Sequence, residues 1–208
     1  MVIKICGITN IDEVNALNFL KPEYVGFVFA ESKRKVTIDT AKKLYNSLNK
    51  KIKIVGVFRN NSEEEILQVL KNIPLDVIQL HGMEDELFIR KIKRRTTTEI
   101  WKAIGIQNEL DIEKALKYSV DTLVLDGSNP GSGEAFSWEI LKDRVINKKV
   151  ILAGGLNLDN VLEGIEAVKP YGIDVSSGVE SIDLKGNRYK DKNKMEKLIN
   201  KVRESNER

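Results

Sequence analysis

The feature that most restricts this chain is a recurrence. Eight times along 208 residues, a short apolar run rich in β-branched residues gives way to a polar turn and then an amphipathic stretch. The runs are Val2–Cys6, Tyr24–Phe29, Lys53–Phe58, Val77–His81, Glu99–Ile104, Thr122–Asp126, Val150–Ala153 and Ile173–Ser176. They are apolar nearly throughout rather than alternating, which suits strands covered on both faces, as in parallel sheets flanked by helices. Eight such units on short links predict an α/β fold, a (β/α)8 TIM barrel in which residues 1–208 form a single catalytic domain. An open doubly wound sheet is the alternative, and it rarely needs so many even repeats.

Helix signals lie between the runs. Asn10 with Glu13, and Ser62 with Glu65, read as capping boxes. Near the carboxyl terminus Met195, Leu198, Ile199 and Val202 make one apolar stripe on a Lys/Glu-rich segment, a helix with a solvated outer face.

Composition excludes several function classes. The 34 basic and 31 acidic residues leave a net charge of +3, which makes no electrostatic case for nucleic acid. No apolar run approaches a membrane span, and the amino terminus enters a strand-like run without signal-peptide organisation. One cysteine excludes an internal disulfide and points to a reducing compartment, so a cytoplasmic protein is expected. With one histidine, one cysteine and no carboxylate cluster beside them, neither a metal nor another cofactor is expected.

In a (β/α)8 barrel the reacting groups stand at the carboxyl ends of the strands and in the loops that follow. Here those ends carry Cys6-Gly7, His81-Gly82, Asp126-Gly127, Gly154-Gly155 and Ser176-Ser177-Gly178, and the second loop carries Ser32-Lys33-Arg34-Lys35. Glycine turns after the seventh and eighth strands let backbone N–H groups approach an anion, and that is the usual phosphate site of this fold. Gly154, Gly155, Ser176, Ser177 and Gly178 are therefore expected to bind phosphate on a small-molecule substrate.

Cys6 could be a small buried hydrophobe, but its strand-end position facing that site favours a base. As a base it needs its thiol lowered by nearby positive charge. Alternation puts Lys4 on the same side as Cys6, one layer deeper, with Asp174 as the partner such a lysine requires. Asp126 ends the apolar run Thr122-Leu-Val-Leu-Asp126, where desolvation favours a proton-carrying form; it could equally begin the next turn. The glycine-rich segment after it reads as a flap that excludes water. Arg34 has the planar fork that suits a carboxylate, or is a surface residue in a basic loop. His81 is an acid, a base, a substrate contact or a structural histidine.

In order along the chain, Lys4-Ile-Cys-Gly-Ile-Thr9, Val25-Gly-Phe-Val-Phe29, Val55-Gly-Val-Phe58, Val77-Ile-Gln-Leu-His-Gly82, Gly131-Ser-Gly133 with Phe136, Ala153-Gly-Gly-Leu-Asn157 and Asp174-Val-Ser-Ser-Gly-Val-Glu180 resemble the phosphoribosylanthranilate isomerase family. The resemblance implies an isomerase of tryptophan biosynthesis that carries out an Amadori rearrangement. It implies Asp126 as general acid at the ribose ring oxygen and Cys6 as general base at C2. Arg34 and His81 would contact substrate, and the glycine turns would hold its phosphate.

The first and sixth strands are expected to face each other across the sugar. Two departures follow Asp126: a shorter loop, and Glu134-Ala135 where the family often has Lys-Thr. The related histidine-pathway isomerase is disfavoured by a cysteine and a single phosphate site, and a non-catalytic binding barrel by the acid–base pair. A monomer and a homodimer both remain open.

Overall fold

The structure, a computed structural model, describes residues 1–127, 138–141, 144 and 146–206. The segment carrying Gly131, Gly133, Glu134, Ala135 and Phe136, read above as a flap, lies outside the described residues.

Runs of β-branched and aromatic residues form strands where a sheet can cover both their faces. Those strands are β1 (Val2–Cys6), β2 (Tyr24–Val28), β3 (Lys53–Phe58), β4 (Val77–Leu80), β5 (Glu99–Ile106), β6 (Thr122–Gly127), β7 (Lys149–Leu152) and β8 (Gly172–Val175), each within two residues of the bounds read from sequence. All pair in parallel, in chain order, and β8 closes on β1, so the sheet is a barrel without edges. The barrel was the favoured reading; the open sheet is excluded.

Helices α1 (Ile11–Leu20), α2 (Ile38–Ser47), α3 (Glu63–Asn72), α4 (Glu86–Arg95), α5 (Glu109–Leu116), α6 (Val161–Val168) and α7 (Lys192–Asn206) follow or flank the strands. Both capping boxes form: Asn10 accepts from the Glu13 N–H, Ser62 accepts from the Glu65 N–H, and each glutamate returns the bond to its cap residue. Met195, Leu198, Ile199 and Val202 of α7 are all fully buried.

Two units depart from the simple alternation. After β6 the described element is a 3-10 turn, Trp138–Leu141. After β8 comes a 3-10 turn, Ser177–Val179, and then an antiparallel hairpin of β9 (Glu180–Ile182) and β10 (Arg188–Lys190), which the sequence reading lacked. Among the described residues no helix is long and apolar enough to cross a membrane.

Strand alternation splits the core in two. Tyr24, Val55, Val57, Val77, Trp101, Val124 and Ile151 fill the barrel, while Ile3, Ile5, Phe27, Ile54, Phe58, Leu123 and Ile173 pack outward against the helices. At one level of the interior Tyr24 meets Trp101 edge to face, with ring centroids 5.0 Å apart. The barrel is thus plugged by side chains, and the polar groups are left to its carboxyl-end mouth.

Candidate active site

That mouth holds a pocket of about 880 Å3, including volume open to solvent. It is bordered by Cys6, Arg34, His81, Asp126, Gly154, Gly155, Ser176 and Ser177. Gly178 stands one step back, packed against Leu156 of the loop after β7. Every site residue read from the sequence therefore gathers at one end of the barrel. In the closed order β6 and β1 stand three steps apart out of eight, across the mouth from each other, and the shorter arc between them carries β7 and β8 with their glycine turns.

Cys6 ends β1 with its side chain turned inward, against Gly26 of β2. A Cβ at Gly26 would lie 2.7 Å from the Cys6 sulfur, so the thiol owes its space to that glycine. Below it Lys4 is fully buried in the barrel, and its Nζ donates to Asp174 Oδ2 at 2.6 Å. The pair follows from register, because Lys4 and Asp174 are partners where β1 meets β8 and both point inward. Burial alone would strip the Lys4 charge; Asp174 and the thiol overcome this and raise its pKa, so it stays an ammonium.

The expectation of a lowered thiol fails. Burial pushes the Cys6 thiol up, and the Lys4 charge pulls it back only in part. The resting group is the neutral thiol.

Asp126 is buried at the end of β6. Its Oδ1 accepts from the Gly127 N–H at 2.7 Å, and its Oδ2 lies 3.2 Å from His81 Nε2. Gly154, with φ of +80°, comes so close that a Cβ there would lie 2.8 Å from Asp126 Oδ1. The glycine turn thus serves the carboxylate as well as any anion. The turn itself is held from below, where the Gly155 carbonyl accepts from Asn160 Nδ2 at 3.0 Å and from Asn157 Nδ2 at 3.2 Å, just ahead of α6.

Arg34 reaches the mouth with part of its fork already engaged. Its Nε and Nη2 donate to the two oxygens of Glu180 at 2.6 and 2.9 Å. Lys190 Nζ donates to Glu180 Oε1 at 2.7 Å, and to the Ser176 hydroxyl and carbonyl at 3.0 and 3.1 Å. The Ser176 hydroxyl in turn donates to the Cys6 carbonyl at 3.0 Å. Burial would push the Glu180 carboxyl up, but the Arg34 hydrogen bonds and the Lys190 charge hold it down to about 2.

Reading the sequence missed this network. Glu180 ends a segment singled out for its serines, and Lys190 sits among lysines that look solvated. Only the β9–β10 hairpin folds Lys190 back under the mouth, where it is 4% exposed.

A second buried pair was also missed. Lys102, on the outward face of β5, donates to Glu84 Oε2 at 2.9 Å and to the Gly82 carbonyl at 2.7 Å. Glu84 accepts as well from the Asn60 and Gly82 N–H groups at 2.7 and 2.8 Å. The pair pins the loops after β3 and β4 to the barrel wall.

Chemically, the mouth offers a proton donor or acceptor at Asp126, a thiol at Cys6, a partly engaged guanidinium and two glycine turns. Among the described residues no group of three or more His, Cys, Asp or Glu could hold a metal ion.

Comparison with known proteins agrees with the barrel fold. Residues 3–201 match the family model described as N-(5'phosphoribosyl)anthranilate (PRA) isomerase. The N-(5'-phosphoribosyl)anthranilate isomerase of Clostridium beijerinckii is 49% identical, with 98% of each chain covered. The crystal structure of phosphoribosyl anthranilate isomerase from Thermus thermophilus superposes with a TM-score of 0.87 at 32% identity, covering 98% of this chain and 99% of that one. A phosphoribosyl anthranilate isomerase in complex with reduced 1-(o-carboxyphenylamino)-1-deoxyribulose 5-phosphate superposes with a TM-score of 0.84 at 36% identity, again covering 98% and 99%.

Proposed function

The chain belongs to the N-(5'-phosphoribosyl)anthranilate isomerase family, isomerases of tryptophan biosynthesis, and from that premise we propose how its own residues carry the reaction. The substrate is N-(5-phosphoribosyl)anthranilate, rearranged to 1-(2-carboxyphenylamino)-1-deoxyribulose 5-phosphate. Asp126 donates a proton to the ribose ring oxygen, the ring opens, and the positive charge moves to an iminium nitrogen. That charge acidifies the C2 hydrogen, which Cys6 removes to give the enolamine. Each proton transfer contributes about 10²–10⁴-fold.

One observation carries this reading. Cys6 and Asp126 border one pocket, on the strands that flank the turns of Gly154-Gly155 and Ser176-Ser177-Gly178. A phosphate on those turns brings the sugar between the two groups. Since the resting thiol is neutral, Cys6 ionises only when the Lys4 ammonium and the nascent iminium stand beside it. Arg34, oriented by Glu180, presents its remaining N–H groups to the anthranilate carboxylate. Cys6 is a free thiol, as the mechanism needs and as a reducing cytoplasm preserves.

The test is direct. Purified protein mixed with freshly prepared phosphoribosylanthranilate should remove its anthranilate-type fluorescence faster than spontaneous breakdown does. Loss at the background rate alone would contradict the reading.

A further inference from the structure

The buried Lys102–Glu84 pair holds two loops to the barrel wall, and the reaction derived above makes no use of it. Well-packed apolar residues in place of such a pair are often neutral or stabilising, so stability alone does not account for it. What the pair fixes is the backbone just after β3. Glu84 Oε1 accepts from the Asn60 N–H at 2.7 Å, and Asn60 Oδ1 accepts from the Met83 N–H at 2.7 Å. Asn60 is held at φ of +59°, in the left-handed region that few side chains adopt. The two loops approach so closely that a Cβ at Gly82 would lie 2.7 Å from the Asn60 nitrogen. A backbone held this tightly also holds the residue before it, Arg59.

Arg59 follows β3 directly and borders the pocket. Its N–H donates to Asn61 Oδ1 at 3.0 Å. Two residues beyond Val57, which lines the barrel, it falls on the inward side of its strand. Among the described residues its guanidinium has no ion-pair partner. Of the carboxylates bordering the pocket, Glu31 pairs with Lys35, Asp174 with Lys4, and Asp126 lies against His81. Arg34 differs, because Glu180 closes one edge of its fork at 2.6 and 2.9 Å.

We infer that Arg59 is a second arm of the clamp on the substrate's aromatic carboxylate, an inference that rests on the substrate named above. In the closed ring β3 stands four steps from β7, so Arg59 lies opposite the Gly154-Gly155 turn. Its neighbour β2 leads into the loop that carries Arg34. A substrate with its phosphate on the glycine turns and its sugar between Cys6 and Asp126 directs its far end to these two loops. A carboxylate has two oxygens and about four lone-pair sites, more than the open edge of Arg34 fills. The free planar fork of Arg59 takes the remainder. Arg59 touches the carboxylate and none of the reacting atoms, so it contributes binding and the choice of an anionic ring over a neutral one.

The test removes the carboxylate from the ligand and the guanidinium from the protein in turn. Reduced 1-(2-carboxyphenylamino)-1-deoxyribulose 5-phosphate, and the same compound with a plain phenyl ring, are titrated calorimetrically into the parent, Arg59→Met and Arg34→Met. Arg59 is exposed, so its replacement leaves the core intact. Arg59→Met should weaken the carboxylated ligand about 10-fold and leave the phenyl ligand unchanged. Arg59→Lys should recover part of that loss, since it returns the charge without the planar fork. In turnover Arg59→Met should raise KM with kcat little changed. An equal loss for both ligands, or none for either, overturns the proposal. If the parent itself binds both ligands alike, the site has no carboxylate clamp and the substrate reading fails too. If Arg34→Met loses the preference for the carboxylated ligand while Arg59→Met keeps it whole, only the role of Arg59 fails.

Discussion

Cys6 can act as a base only as the thiolate, and burial pushes its thiol above the ordinary value while Lys4 pulls the other way. The rate should therefore climb with pH through a range above that of a free thiol. Lys4→Met should move this limb further up, since the cation that favours the thiolate is gone. The same change strands Asp174, whose Oδ1 already lacks a partner among the described residues, and should cost about 3–5 kcal/mol in urea unfolding. Glu180 behaves in the opposite sense. Its folded pKa of about 2 lies below the unfolded value, so its contribution to stability is complete above the ordinary carboxylate range and is lost as pH falls toward about 2. Glu180→Gln should lower stability at neutral pH and flatten the acid branch of the stability curve; an unchanged branch would separate Glu180 from Arg34 and Lys190. The Lys4–Asp174 pair was legible in the sequence because strand alternation dictates it. The thiol's direction was not, because it depends on how completely the barrel buries Cys6, which no local pattern encodes.

Elements were legible wherever a single element carries its own pattern. Both capping boxes and the α7 stripe depend on residues a turn apart, and all three form as read. Ser62→Ala should accordingly cost about 1 kcal/mol in unfolding through lost capping of α3. Contacts between elements were hidden. Lys102 reads as an interruption in an apolar strand, and its reason lies in Glu84 and in the backbone of the loops after β3 and β4. Lys102→Met leaves Glu84 buried and unpaired, so a loss of about 3–5 kcal/mol is expected, with the backbone amides around Asn60 and Gly82 exchanging faster with solvent. The β9–β10 hairpin was hidden for the same reason: its short polar strands matter only because they return Lys190 to Glu180 and Ser176.

For the whole molecule, eight apolar runs and a closed parallel order are the same fact seen at two scales. Each run needs cover on both faces, and a barrel ringed by helices provides it without leaving an edge. Closure is also what makes the site, since joining β8 to β1 sets Asp174 beside Lys4 and brings both glycine turns between Cys6 and Asp126. That ordering round the mouth could not be read from strand ends alone, which say what each strand offers but not which strands are neighbours of the pocket. The central claim is that Asp126 and Cys6, flanking a phosphate site, are the acid and the base of an Amadori rearrangement. It is tested most directly by kcat on phosphoribosylanthranilate for Cys6→Ser and Asp126→Asn, with folding of each variant checked by circular dichroism. Each should fall about 10²-fold or more with KM changed little; a Cys6→Ser variant with the kcat of the parent would contradict it.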